Sequence, residues 1–190
     1  MLSSNFFENE DVCSIAKALL GKCLCTYFIH KTIGIITEVE AYSFKEKACH
    51  AYQNKQTKRN SMMFEKGGTA YVYLCYGMHP LFNIVTNKKD VAEAILVRRI
   101  EPLEGIDIMK KRRNGKDIGS GPGKLTQSLG IELKHNGLKL NTAPIWIEDR
   151  GFQINKNVLY LSKRIGIDYA GDDKDLLWRY SIKNTRGMKV

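Results

Sequence analysis

The chain has 190 residues and 43% hydrophobic content, enough for one domain with a sizeable core. Thirty Lys and Arg against 20 Asp and Glu leave a net charge of +10, which favours a polyanionic partner through counterion release from phosphates, nucleic acid first. No run of about 18 apolar residues occurs, and the first residues lack the basic and apolar segments of a leader, so neither a membrane span nor a signal peptide is predicted and a cytoplasmic protein is expected.

In chain order, Asn9-Glu10-Asp11 is read as the cap of a helix whose apolar positions Val12, Ile15, Ala16, Leu19 and Leu20 keep helical spacing, with Gly21 as its stop. Residues 22–30 and 33–42 read as two strands joined by a turn at Lys31-Thr32, with Cys23 and Cys25 taken to point to two faces. A polar loop is predicted over 43–68. Next come a hairpin of strands 69–76 and 81–86 around the turn Gly77-Met78-His79-Pro80, and a strand over 92–100. Pro102 is expected to open a helix reaching about Arg113, and Ser120-Gly121-Pro122-Gly123 leads into a helix over 124–129 ended by Gly130. Short strands and glycine turns fill the remainder. No repeat, low-complexity tract or linker divides the chain, so a single α+β domain over 1–190 is expected.

Cys13, Cys23, Cys25, Cys49 and Cys75 form an odd set without a paired C-x-x-C arrangement. Neither a zinc ribbon nor a disulfide framework is expected, and with four scattered histidines no metal is predicted.

The chemistry-bearing residues concentrate in two places. Glu38-Val39-Glu40-Ala41-Tyr42 puts carboxylates at the end of a strand, where burial is costly unless something pairs or uses them. Alternation puts Glu38, Glu40 and Tyr42 on one face and Ile35, Thr37 and Val39 on the other; a wet edge strand would accommodate the same pattern. The hairpin carries Tyr71 and Tyr73 on one face, and Tyr76 near a tip that also holds Met78 and His79. A projecting aromatic there suits a minor-groove wedge, which unstacks base steps, while ordinary packing is the rival use for a strand tyrosine.

Taken in order, Glu38-Val39-Glu40-Ala41-Tyr42, Ala48-Cys49-His50, Thr57-Lys58-Arg59-Asn60, Met63-Phe64, Tyr71-Val72-Tyr73, Tyr76-Gly77-Met78, Arg98 within Leu96-Val97-Arg98-Arg99-Ile100-Glu101-Pro102, Ser120-Gly121-Pro122-Gly123-Lys124-Leu125 and Arg164-Ile165-Gly166 closely resemble the alkyladenine (3-methyladenine) DNA glycosylase family. The resemblance runs from about Ala16 to Arg179. It implies a compact α+β domain with a curved, mainly antiparallel sheet flanked by helices, a protruding β-hairpin that inserts into DNA, and no metal or redox cofactor. It also implies a monofunctional glycosylase, without lyase activity, that takes alkylated or deaminated purines from double-stranded DNA: 3-methyladenine, 7-methylguanine, hypoxanthine or ethenoadenine. A monomer without membrane association is expected, cytoplasmic and at the nucleoid if bacterial.

By the same resemblance Glu40 is the general base for water, and Arg98 with the backbone carbonyl of Ile165 helps hold that water. Tyr42, His50 and Tyr73 line the base pocket. Asn83 stands at its floor against the exocyclic amine of guanine, Tyr76 fills the gap in the duplex, and Met63, Met78 and His79 lie beside the DNA. Thr57, Arg59 and Asn60 are typical phosphate ligands. Simpler uses stay open for several of these. Alternation alone does not choose Glu40 over Glu38, Arg98 suits an ion pair with Glu38 or Glu101, Asn83 a backbone-bonded amide, Met63 core filling, and 57–60 a solvated loop. A non-catalytic binder of damaged or bent DNA is the rival function and would not need Glu40; a nucleoside or RNA-base hydrolase would not need Tyr76.

Overall fold

The computed structural model describes residues 1–8, 11–152, 154 and 156–182; Asn9 and Glu10 of the expected cap lie outside them. Asp11 opens α1 (Val12–Leu19), its carboxylate accepting from the N–H groups of Cys13 and Ser14 at 3.0 and 3.2 Å. Two of the helix's otherwise unpaired donors are thereby satisfied. Val12, Ile15, Ala16 and Leu19 form its buried stripe.

Strands β1 (Cys23–Tyr27) and β2 (Lys31–Ser43) form an antiparallel pair whose last rung is Tyr27 opposite Lys31. The turn therefore occupies 28–30, ahead of the expected Lys31-Thr32. Thr32 is a buried strand residue because its hydroxyl pairs with that of Thr26 at 2.6 Å, and Thr26 also donates to the Leu129 carbonyl; a threonine so paired has no reason to stay in solvent.

The hairpin consists of β3 (Ala70–Cys75) and β4 (His79–Thr86), and β5 (Glu93–Glu104) follows. Cys75 pairs with His79, so the turn is Tyr76-Gly77-Met78, and His79 and Pro80 belong to β4. Pro102 does not start a helix. It lies within β5 opposite Gly34, beyond the rungs that β4 makes with β5, where a residue without an N–H is tolerated. The next helix, α2 (Ile106–Arg112), begins behind Gly105. Gly105 has φ +74° and its absent Cβ would stand 2.4 Å from the Lys31 carbonyl, so only glycine fits.

Helix α3 (Pro122–Leu129) starts with Pro122 in its first turn, two residues before its predicted start, and ends as expected at left-handed Gly130. Strands β6 (Asn141–Thr142), β7 (Ile145–Glu148), β8 (Leu159–Ser162) and β9 (Arg179–Ile182) complete the sheet. Its order is β3-β4-β5-β2-β1-β7-β6, with β9 joining β2 to β8, and every pair is antiparallel. The fold is the expected α+β class, a curled antiparallel sheet with helices.

Helices α1, α2 and α3 pack on one face, where Ile15, Leu19, Met109, Leu125 and Leu129 meet Ile36, Val39, Ala41, Val72, Phe82, Ile95 and Val97. The segment between β2 and β3 covers part of the other face, with Cys49, Met63 and Phe64 against Tyr71, Val85 and Ala94. Simple alternation fails within β2. Its register to β5 shifts on both sides of Glu38, and this irregularity changes which face the following side chains take. Ile35 accordingly packs with Cys23, Cys25, Ile33 and Trp146, whereas Val39 enters the helix-side core. Ile35 and Val39 were expected to share a face. Cys23 and Cys25 do share one, as residues two apart in a strand must, and all five cysteines are free thiols.

Candidate active site

Beyond the irregularity, Val39 and Ala41 point to the helices and Glu38, Glu40 and Tyr42 to the opposite face. One rung then crosses four strands: Tyr71 pairs with Asn83, Asn83 with Leu96, and Leu96 with Glu40. Because side chains on one rung share a face, this register brings residues from four separate segments into one line. Tyr73 and Leu81 form the next paired rung on the same face, with Tyr42 and Ala94 on the other side.

A cavity of about 580 Å³ opens over this floor. Tyr42, Tyr71, Tyr73, Leu81, Asn83, Leu96 and Arg98 line it from the sheet, and His50, Arg59 and Met63 from the covering segment. Tyr76, Pro122, Ile165, Ile167 and Tyr169 close its sides. The rings of Tyr71 and Tyr73 lie 5.4 Å apart, and His50 stands edge-on to Tyr73 at 4.6 Å and shares a 3.0 Å hydrogen bond with the Tyr71 hydroxyl. Burial pushes the phenols of Tyr42, Tyr71 and Tyr73 above the ordinary tyrosine range, with the neighbouring Glu40 charge adding to the effect at Tyr42. His50 keeps an exposed edge, yet desolvation by its neighbours and then the Arg59 cation push its pKa below the ordinary value, favouring neutral imidazole. The cavity thus offers uncharged π-faces.

Glu40 has no exposed surface. Its Oε2 accepts from the Tyr42 hydroxyl at 2.8 Å and Arg98 Nη1 at 3.1 Å, and its Oε1 from the Ile165 backbone N–H at 2.8 Å. All three donor residues line the cavity. The carbonyl of Ile165 was expected to help hold the water; the N–H of the same residue binds Glu40 itself. Glu38 has different company: Oε1 accepts from Arg98 Nε and Arg179 Nη1, both at 3.2 Å, and Oε2 stands 3.5 Å from Arg99 Nη2. Arg98 therefore bridges both carboxylates, so the ion pair with Glu38 and the contact with Glu40 coexist.

Asn83 is buried at the floor and donates to the Tyr71 carbonyl at 3.1 Å, so it is both a backbone-bonded amide and a cavity wall. Tyr76, Met78 and His79 are exposed on the hairpin tip. Other expected groupings are not formed. Met63, unlike Met78 and His79, is buried among apolar neighbours, and it lines the cavity from the covering segment. Asn60 is buried as a staple: its amide donates to the carbonyls of His50 and Lys55, and its Oδ1 accepts from the Thr57 N–H at 2.6 Å. Arg59 reaches the Leu74 carbonyl, with its guanidinium 5.7 Å from the Tyr73 ring centroid. Thr57, Arg59 and Asn60 thus form no common cluster of outward-facing donors.

Residues 5–186 match the family model described as methylpurine-DNA glycosylase. The chain belongs to the methylpurine-DNA glycosylase family. Among its relatives, proteins named "Putative 3-methyladenine DNA glycosylase" are 45% identical in Chlamydia abortus, over 97% of this chain and 100% of the relative, and 46% identical in Carboxydothermus hydrogenoformans, over 98% and 97%. A third of that name, in Clostridium novyi, is 44% identical over 95% and 94%. The chain is accordingly a DNA glycosylase, a DNA-repair enzyme whose substrate is DNA, and the reading as a non-catalytic binder is set aside.

Within this glycosylase, sequence reasoning passed over Tyr169 and Ile167 as cavity walls, and Arg164 and Glu46 behind them. Arg164-Ile165-Gly166 was a legible signal for that loop. Glu46 gave none, because a glutamate in a polar loop is ordinarily solvated.

Proposed function

We propose that this glycosylase flips an alkylated or deaminated purine out of duplex DNA into the aromatic cavity and hydrolyses its N-glycosidic bond with water activated by Glu40. Purines of the 3-methyladenine, 7-methylguanine, hypoxanthine and ethenoadenine type are its substrates. The observation that carries this reading is the setting of Glu40, a buried carboxylate whose three donors, Tyr42, Arg98 and the Ile165 N–H, all belong to the cavity wall.

A base in a duplex hides its glycosidic bond, so the nucleotide must be extruded and the stack refilled. Tyr76 at the hairpin tip fills the gap from the minor groove, with Met78 and His79 beside it. Tyr42, Tyr73 and His50 stack on the extruded base, and a cationic purine gains more from electron-rich rings than a neutral one. Asn83 crowds the exocyclic amine of guanine. As the base departs, the sugar becomes oxocarbenium-like. A carboxylate has about four acceptor positions, so three donors leave Glu40 one for the attacking water. The carboxylate takes a proton from that water, and its charge stabilises the cationic sugar. Among the described residues no lysine lines the cavity; water is the nucleophile, and strand cleavage through a Schiff base does not follow.

The test compares Glu40→Gln with Glu38→Gln in single-turnover base release from a duplex carrying one alkylated purine. Glu40→Gln keeps shape and lesion binding and loses about 10² to 10⁴ in rate. Retained rate in Glu40→Gln together with loss in Glu38→Gln moves the base to Glu38, and retained rate in both ends the carboxylate mechanism.

A further inference from the structure

Ile165 places its N–H on Glu40 although the residue is 49% exposed. Packing of Ile165 itself therefore does little to hold that donor. The loop is fixed on either side instead: Ile167 is buried with Ala48 and Ala170, and Arg164 is buried with its side chain fully inaccessible.

The Arg164 guanidinium binds Glu46 through two parallel bonds, Nη1 to Oε1 at 2.7 Å and Nη2 to Oε2 at 2.8 Å. Nη1 also donates to the Ala41 carbonyl at 3.0 Å and Nη2 to the Asp173 carbonyl at 3.1 Å. Its carbon lies 4.8 Å from the Tyr42 ring centroid and 5.4 Å from that of Trp178. The same Glu46 accepts from the Ala48 N–H at 2.8 Å, in the segment that leads to His50. One ion pair thus grips the backbone between Glu40 and Tyr42, the ring of Tyr42, the loop that presents the Ile165 N–H and the loop that presents His50.

Fold stability by itself gives little reason for such a pair. Desolvating two charges offsets most of their attraction, and well-packed apolar residues would serve about as well. A planar fork with several fixed donors supplies direction, which apolar packing does not.

We propose that Arg164, locked by Glu46, is a positioning residue that holds the Ile165 N–H and Tyr42 on Glu40 and so couples the base pocket to the hydrolytic carboxylate. The proposal rests on the assignment of Glu40 as the general base. Arg164 touches neither base nor water; it sets the geometry of groups that do, and small misplacements of such groups are costly in rate.

Arg164→Lys keeps the charge and most of the volume and loses the fork. Its single-turnover rate constant on an alkylated-purine duplex, a quantity independent of the folded fraction, should fall about tenfold to hundredfold. Affinity for the same duplex, measured in the Glu40→Gln background so that the lesion persists, should change less than about threefold, the order of a fraction of one hydrogen bond. An unchanged rate constant, or rate and affinity falling by the same factor, overturns the proposal. Should Arg164→Lys fail to fold, Glu46→Gln, which keeps the Ala41 and Asp173 contacts, is read by the same two measurements. Glu40→Gln run in parallel separates the two failures: if it retains rate, the assignment of Glu40 falls; if it is inactive while Arg164→Lys is unaffected, only the positioning role falls.

Discussion

Behind the wall at one end of the cavity Glu40 has no exposed surface, three donors from that wall fix its oxygens, and a buried ion pair stands behind two of them. At the other end Tyr76 is 88% exposed at φ +50°, next to left-handed Gly77, which has nothing within 4 Å of its absent Cβ. The contrast follows from what each end is assigned. A carboxylate that moves a proton is effective when its partners are already in place and water is excluded. An aromatic that replaces a base has no partner until DNA arrives, so it stays exposed and the fold tolerates the apolar surface. Substitutions at the buried end should therefore damage the free protein, and substitutions at the tip only the complex.

The largest expected effect breaks the buried end. Glu46→Ala leaves the Arg164 charge inside without a carboxylate and should destabilise the protein by about 3–5 kcal/mol, read as a lowered midpoint in denaturant; Tyr76→Ser should leave that midpoint unchanged. Equal shifts would erase the contrast.

At the tip, Tyr76→Ser should lose about 1–3 kcal/mol of stacking, seen as slower single-turnover release from a duplex lesion and near-normal release from a lesion already unstacked in a loop. Matching the unchanged protein on the duplex would remove Tyr76 as the wedge.

Asn83, on the same rung as Glu40, tests the cavity floor. Asn83→Ser should raise excision of guanine-type over adenine-type bases by about tenfold, the order of one steric exclusion, and an unaltered ratio would take Asn83 out of base selection.

The smallest effect is the pH response of His50. Its folded pKa lies below the unfolded value of about 6.5 because of desolvation and the nearby Arg59. Between those two values the unfolded chain binds more protons, so stability rises with pH through that window and is lost as pH falls through it. The thermal midpoint should drop more on acidification in the unchanged protein than in His50→Gln, by a modest margin because the ring is partly exposed. Identical slopes would mean that the ring is not desolvated.

Much of this was legible locally. The side-chain alternation of β3 put Tyr71 and Tyr73 on one face, the run from Glu38 to Tyr42 put its polar groups together, and Asp11 and Gly130 marked helix ends, because capping and alternation depend on neighbouring residues alone. The motifs in order were enough to reach the family. Tertiary structure decided the rest. The register shifts around Glu38 separated Ile35 from Val39, and the end of the β4–β5 ladder let Pro102 sit in a strand. The clearest case is the pair of carboxylates. Alternation treats Glu38 and Glu40 alike, but β5 and β9 surround Glu38 with three arginines, while the loop after β8 brings the Ile165 N–H to Glu40. Glu46 and Arg164 are 118 positions apart, and no local rule pairs a loop glutamate with an arginine at that distance; only the closing of the sheet through β9 brings them together, and burial then makes their geometry exact enough to hold a third group in place.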